Sequence, residues 1–349
     1  MRGAGHAARV RGRAKRPRAD EALGVSGAEA GVRAGQRPHG FDELGDDGLG
    51  RSGCRHGRSP YRLDTSFGPN DSDGTEAAGM FSSVLSGHCR RDDSTGGTAM
   101  PIFTRPDAEI YYEVYGSGHP LLLFAPGGLR SQLEYWRSSP SNPSASPAWM
   151  NPMVDLASRF TVIGMDQRNA GKSRGAVTET HGWHTYAGDH LALMDHLGHR
   201  RFHVMGGCIG GTYCLTLCEL APERITAAVL QNPIGLHENR DTWEEAVSGF
   251  AKTMLAQDPS LTEDVIQKFG HNMFGGDFVF SVSRDFVRRC PTPLLLQPGT
   301  DKPHPAATSA EIASLAPNLE VQKDWRGPTH LAESIRRVTD FLTRHTPTS

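Results

Sequence analysis

From residue 120 the sequence runs "PLLLFAPGG", apolar at every position until the glycines. A strand with no polar side must be covered on both faces, which restricts the chain to a few layered architectures. The pattern repeats in "FTVIGMD", "RFHVMGG", "ITAAVLQNP" and "TPLLLQPGTD". Between these runs lie stretches whose apolar residues recur at helical spacing, such as "TYAGDHLALMDHLG" and "GTYCLTLCELAPERI". "AESIRRVTDFLTRH" closes the chain in the same way. Buried strands alternating with helices require right-handed crossovers, so the expected fold is α/β, a mainly parallel sheet with helices on both faces. Reactive groups in such folds gather at the carboxyl ends of the strands.

The rhythm begins only near residue 100. Residues 1–99 open with "MRGAGHAARVRGRAKRPRAD" and continue polar and glycine-rich, with no sustained apolar period. A segment of this kind cannot bury enough apolar area to offset the entropy of ordering it, and the expectation is a disordered basic tail. A start codon placed too far upstream is the competing explanation, because Met100 opens the ordered text; a basic arm and a transit peptide are further readings. Residues 100–349 are expected to form one domain. Within it, 237–291 interrupts the alternation with "TWEEAVSGFAKTMLAQ" and "TEDVIQKFGHNMF", two amphipathic helices expected to cap the sheet. "SSPSNPSASPAWMNP" reads as an irregular loop at the same rim.

A formal net charge of -2 gives the whole chain no pull toward nucleic acid or an anionic membrane. No apolar run reaches the roughly 18–20 residues needed to span a bilayer. Six cysteines, Cys54, Cys89, Cys208, Cys214, Cys218 and Cys290, lack any C-x-x-C spacing. They read as reduced thiols, so a soluble, cytoplasmic protein acting on a small molecule is expected, its oligomeric state open.

The chemistry concentrates in "FHVMGGCIGGTYCLTL", a strand, a glycine cluster and a helix with Cys208 at the turn. Gly206 and Gly210 flank Cys208 at the two positions where a Cβ would collide with strand and helix in so tight a bend. The helix N-terminus directed at the sulfur favours thiolate. With "PGG" after the first buried strand, "DQRNAGKS" after the next, "GGCIGG", "GTDKPHP" and the late "GPTH", the chain from about residue 100 onward resembles the α/β-hydrolase fold family. Most members of that family carry serine at this turn. Cysteine stands there in dienelactone hydrolases and polyhydroxyalkanoate synthases, the latter unlike the rest of this chain.

The resemblance implies a nucleophile at Cys208, an acid at Asp301 after "PLLLQPG" and a histidine at His330 after "WRGPT". Each has a plainer reading, Asp301 as a turn residue and His330 as a helix cap. His304 is the rival histidine, set aside as too near Asp301 in sequence to face the turn. The oxyanion would be met by the backbone N–H groups of Ile209 and Gly128. The implied activity is hydrolysis of an ester, lactone or thioester through a thioester at Cys208, without metal or cofactor. Acyl transfer to another acceptor and ligand binding without turnover are the alternatives.

Two motifs are set aside. "NAGKS" ends like a phosphate loop, but such a loop needs glycine where Asp166 stands; Asp166, Arg168, Gly171 and Ser173 read as a structural corner. His181 and His184 lack the i, i+4 spacing of a helical metal pair, and Thr185 is placed to cap the helix that follows. Cys214 and Cys218 fall on one helix face as packing residues.

Overall fold

The computed structural model describes residues 101–138 and 148–348. The expectations for residues 1–99, Met100 and most of the Ser/Pro-rich loop lie outside the described residues.

Strand β1 (Ile102–Arg105) and β2 (Ala108–Tyr115) form an antiparallel pair. Then come β3 (His119–Phe124), β4 (Phe160–Met165), the short β5 (Arg174–Gly175), β6 (Phe202–Gly207), β7 (Ile225–Gln231), β8 (Leu294–Gln297) and β9 (Leu319–Val321). The sheet order is β1-β2-β4-β3-β6-β7-β8-β9, with β5 paired to β2. From β4 to β9 every neighbouring pair is parallel. The mainly parallel α/β sheet is therefore present, with an antiparallel edge.

The all-apolar runs form its centre because both faces are occupied. Leu121, Leu122, Leu123 and Phe124 alternate sides and are all at 0% exposure. Each such side chain contributes about 1.5–3 kcal/mol of burial. Leu122 and Phe124 face the layer containing α2 (Trp183–His196) and α3 (Ile209–Leu220). Leu121 and Leu123 face α8 (Leu331–Arg344), which presents Val338, Phe341 and Leu342 at helical spacing. Asn151 caps the short α1 (Pro152–Asp155) on that side by accepting from the Met153 N–H at 3.2 Å. Helix α7 (Ala306–Leu315) joins β8 to β9.

The interruption at 237–291 holds α4 (Arg240–Gln257), α5 (Glu263–Phe274) and α6 (Arg284–Arg289). α4 packs on the short turn Gly128–Arg130 that follows β3. The aromatic rings of Trp243 and Phe274 stack at 5.1 Å between α4 and α5.

The corner after β4 is built as a corner. Asp166 accepts the N–H groups of Leu133 and Lys172, each at 2.8 Å. Ser173 Oγ donates to the Asp166 carbonyl and accepts from the Tyr111 N–H, both at 2.9 Å. Arg168 pairs with buried Asp189 at 2.9 Å. Thr185 differs from expectation: α2 starts two residues earlier, and the Thr185 hydroxyl instead accepts the Gly182 N–H at 3.1 Å.

At the carboxyl rim, Gln231 Nε2 donates to Gln297 Oε1 at 2.6 Å. Gln297 Nε2 donates to Gln322 Oε1 at 2.8 Å and to Ser334 Oγ at 2.9 Å. Gln322 Nε2 donates to the Asp324 carbonyl at 3.3 Å. This row crosses the ends of β7 and β8 and reaches α8. Among the described residues no helix is long and apolar enough to cross a membrane, and no cluster of three or more His, Cys, Asp or Glu is arranged to hold a metal ion.

Candidate functional site

Cys208 lies between β6 and α3 with φ 59° and ψ -121°, a conformation that L-residues rarely hold without a surrounding structure that enforces it. The enforcement is visible in the glycines. A Cβ on Gly206 would sit 2.1 Å from the Gly210 carbonyl group, and one on Gly210 would sit 2.3 Å from the Phe124 oxygen. Backbone atoms cannot yield to such contacts, so both positions require glycine. The Cys208 N–H donates to the Gln231 carbonyl at 3.0 Å, tying the turn to the end of β7. The thiol is half-buried, whereas Cys214, Cys218 and Cys290 are buried.

Asp301 lies in the loop between β8 and α7. Its Oδ1 is 2.5 Å from His304 Nδ1 and accepts the His304 N–H at 3.1 Å. The His304 N–H also bonds the Asp301 carbonyl at 3.0 Å, so the loop turns back on itself. The opposite ring nitrogen, Nε2, is buried and makes no formed hydrogen bond. The same ring neighbours the Cys208 sulfur, and each acts on the other's charge.

The two groups change each other's charge. Burial opposes the Cys208 thiolate, but the His304 charge and its contact, with the N–H groups of Gly127 and Ile209, bring the thiol down to about 7. Burial likewise opposes the imidazolium, but the thiolate and Asp301 outweigh it and raise His304 to about 9. The His304 contact holds the Asp301 carboxyl below its usual range, with Arg326 assisting at 3.9 Å. Each charge thus favours the other.

One expected site residue, His330, is not where the sequence reading put it. His330 precedes α8 as an exposed residue, its N–H on the Gly327 carbonyl at 3.1 Å. It lines a small cavity of about 170 Å³ with Thr300, Trp325 and Arg326, and His304 occupies the place beside the sulfur. Sequence nearness to Asp301 was no obstacle, because one tight turn lays the ring of residue i+3 against the carboxylate of residue i. Besides Ile209, the amide that acts on the sulfur is that of Gly127, the residue before Gly128. Gly128 has φ 60° and is the first residue of the turn Gly128–Arg130. The Ile209 N–H also acts on the sulfur.

The sequence reading also missed Asn239, buried at 1% exposure, whose Nδ2 donates to the Lys302 carbonyl at 2.7 Å. It missed Tyr213 too, whose buried hydroxyl has no partner and is disfavoured from ionising by burial and by the charges of Tyr186 and Cys208. No local pattern marks either residue, since the surroundings of both are set only by the folded chain.

Comparison with known proteins agrees with the architecture. The α/β-hydrolase fold family matches residues 120–338. "Putative carbamate hydrolase RutD" of Azorhizobium caulinodans is 31% identical over 139 residues, 38% of this chain and 44% of that protein. The chain thus spans less than half the length of that relative. A non-heme haloperoxidase of Rhodococcus erythropolis is 28% identical over 207 residues, 54% of this chain and 68% of its own. A serine hydrolase structure from Cycloclasticus zankles shares 18% identity over 71% of this chain and 96% of that one, with a TM-score of 0.50, a likeness of fold alone. With the family match extending from β3 into α8, the chain belongs to the α/β-hydrolase fold family.

Proposed function

We propose that this protein is a hydrolase that cleaves an ester, lactone or thioester through a covalent thioester at Cys208. The observation that carries this reading is the single ring of His304 between the Asp301 carboxylate and the Cys208 sulfur. The relative named as a carbamate hydrolase supports hydrolysis of an acyl bond as the reaction class.

The thiolate attacks the carbonyl carbon, and the carbonyl π electrons move onto oxygen. The Gly127 and Ile209 N–H groups stabilise that oxyanion. As it collapses, the bond to the leaving group breaks, and His304 Nε2 supplies the proton that the alkoxide, thiolate or amine takes away. Neutral His304 then removes a proton from water, the hydroxide attacks the thioester, and the acid departs. Cys208 regains its electron pair and His304 its charge. Asp301 holds the ring in one tautomer and supports the imidazolium.

Hydrolysis of a p-nitrophenyl ester in the full chain, with mass spectrometry of the acylated peptide, tests this. The expected result is a burst of p-nitrophenol with the acyl group on Cys208, and a fall of about 10⁴-fold or more in kcat/KM for Cys208→Ala. The pH profile should rise with the thiolate near 7 and fall as His304 loses its proton near 9. Turnover by Cys208→Ala close to the unmodified rate would end the reading.

A further inference from the structure

The ring beside Cys208 is carried on the loop between β8 and α7. At its start, the Gly299 N–H donates to Ser309 Oγ at 3.1 Å. Its middle is held from outside, by the first residue before α4. Asn239 Nδ2 donates to the Lys302 carbonyl at 2.7 Å and to the Gly235 carbonyl at 3.1 Å, and Oδ1 accepts the His237 N–H at 2.8 Å. Both amide hydrogens and the oxygen are therefore engaged. A buried amide satisfied in this way is a stiff connector.

Its position makes the arrangement informative. Asparagine at the start of a helix ordinarily turns its oxygen onto the helix's own N–H groups. Asn239 makes no such cap, and the donor side of its amide reaches 63 residues along the chain to Lys302. The helix it begins, α4, packs on the turn Gly128–Arg130, which directly follows the Gly127 amide facing the sulfur. Asn239 and the helix it begins therefore reach both halves of the site. Lys302 also pairs with Asp241 at 2.5 Å, but those side chains are 58% and 60% exposed, and exposed pairs contribute little.

Resting on the reading of Cys208 and His304 above, we propose that Asn239 is a positioning residue: by holding the Lys302 carbonyl it sets the His304 ring against the Cys208 sulfur, so that α4 carries the base and the oxyanion turn as one unit. Asn239 has no charge, and its influence on the thiol passes through the placement of His304. The other titratable or charged groups facing the pair are Tyr213 on α3, Asp301 in the same loop and Arg326 beyond β9.

The test is the pH dependence of iodoacetamide alkylation at Cys208 in the full chain, followed on the Cys208 peptide by mass spectrometry. The unsubstituted protein is expected to show a midpoint near 7. In Asn239→Leu the midpoint should rise by about one unit, so that alkylation at a pH well below both midpoints slows about tenfold. Asp241→Asn should match the unsubstituted protein. In a His304→Ala background, Asn239→Leu should change the rate no further. An unmoved midpoint in folded Asn239→Leu, or the same slowing without His304, would overturn the proposal. If circular dichroism finds Asn239→Leu unfolded, Asn239→Ser, too short to reach the Lys302 carbonyl, is judged by the same two outcomes. A midpoint near the free-cysteine value of about 8.5 in the unsubstituted protein would instead overturn the reading of Cys208 beneath it, without involving Asn239.

Discussion

The loops leaving β8 and β9 each carry a histidine, and they spend their side chains in opposite ways. In the first, residues 298–305, Asp301 folds against His304 and the ring keeps only 13% of its exposure. In the second, residues 322–330, the residue that goes inside is Trp325, at 3% exposure, with its indole N–H on the Pro298 carbonyl at 3.0 Å. Gly327 is tied to the Ala148 carbonyl at 2.7 Å, and His330 is left in solvent. Water surrounds the exposed His330 ring, whereas the largely enclosed His304 feels both the sulfur and the carboxylate. The loop that buries a polar pair in place of an indole is the one on which the proposed chemistry rests.

The sharpest way to break this comparison is to remove each ring in turn. His304→Ala is expected to lower kcat/KM on an activated ester by about 10³-fold, within the usual range for a lost acid–base group. His330→Ala should leave it within about threefold, as expected for an exposed side chain away from the sulfur. The reverse outcome would return the base to the later loop.

A second comparison separates two adjacent glycines. Gly127 has φ 120°, and a Cβ there would lie 2.5 Å from the Tyr135 ring. Gly127→Ala should therefore displace the amide facing the sulfur and reduce kcat about 100-fold. Gly128 has φ 60° with open space around it. Gly128→Ala should lower stability by about 1 kcal/mol in urea unfolding, the strain of a left-handed alanine, and change kcat far less. Equal losses of kcat would mean that the turn, not one amide, is what matters.

The smallest effect concerns the anchor of the second loop. Trp325→Phe keeps the aromatic packing and loses the bond to the Pro298 carbonyl, for about 1 kcal/mol in the same unfolding measurement. The ester rate should hardly change. A large loss of rate would show that the two loops are coupled through residue 298.

What the sequence made readable was whatever a short stretch determines by itself. The apolar runs announce buried strands, and Gly206 and Gly210 announce a turn that admits no Cβ. The two long helices between β7 and β8 follow from their apolar spacing. Asp301 follows from its place after β8. The choice between His304 and His330 was not readable, because it depends on which loop buries an indole and which buries an imidazole. Gly127 and Gly128 differ by one step in a turn whose direction no neighbouring residue reveals. Asn239 is invisible in the string, since its partner at Lys302 is brought near only by the folded sheet.

The row of glutamine amides along the rim has a polarity. The Asp324 carbonyl can only accept, so Gln322 must turn its nitrogen toward it and its oxygen toward Gln297, which passes the same orientation to Gln231. No member can rotate alone without setting donor against donor or acceptor against acceptor. Three neighbouring segments of the barrel-less sheet are thereby read in one sense, like teeth of a zip, and sliding any of them past its neighbour breaks the whole line at once. The backbone carbonyl that receives the Cys208 N–H belongs to the last residue of that line, so the strained turn is seated on the same row of bonds.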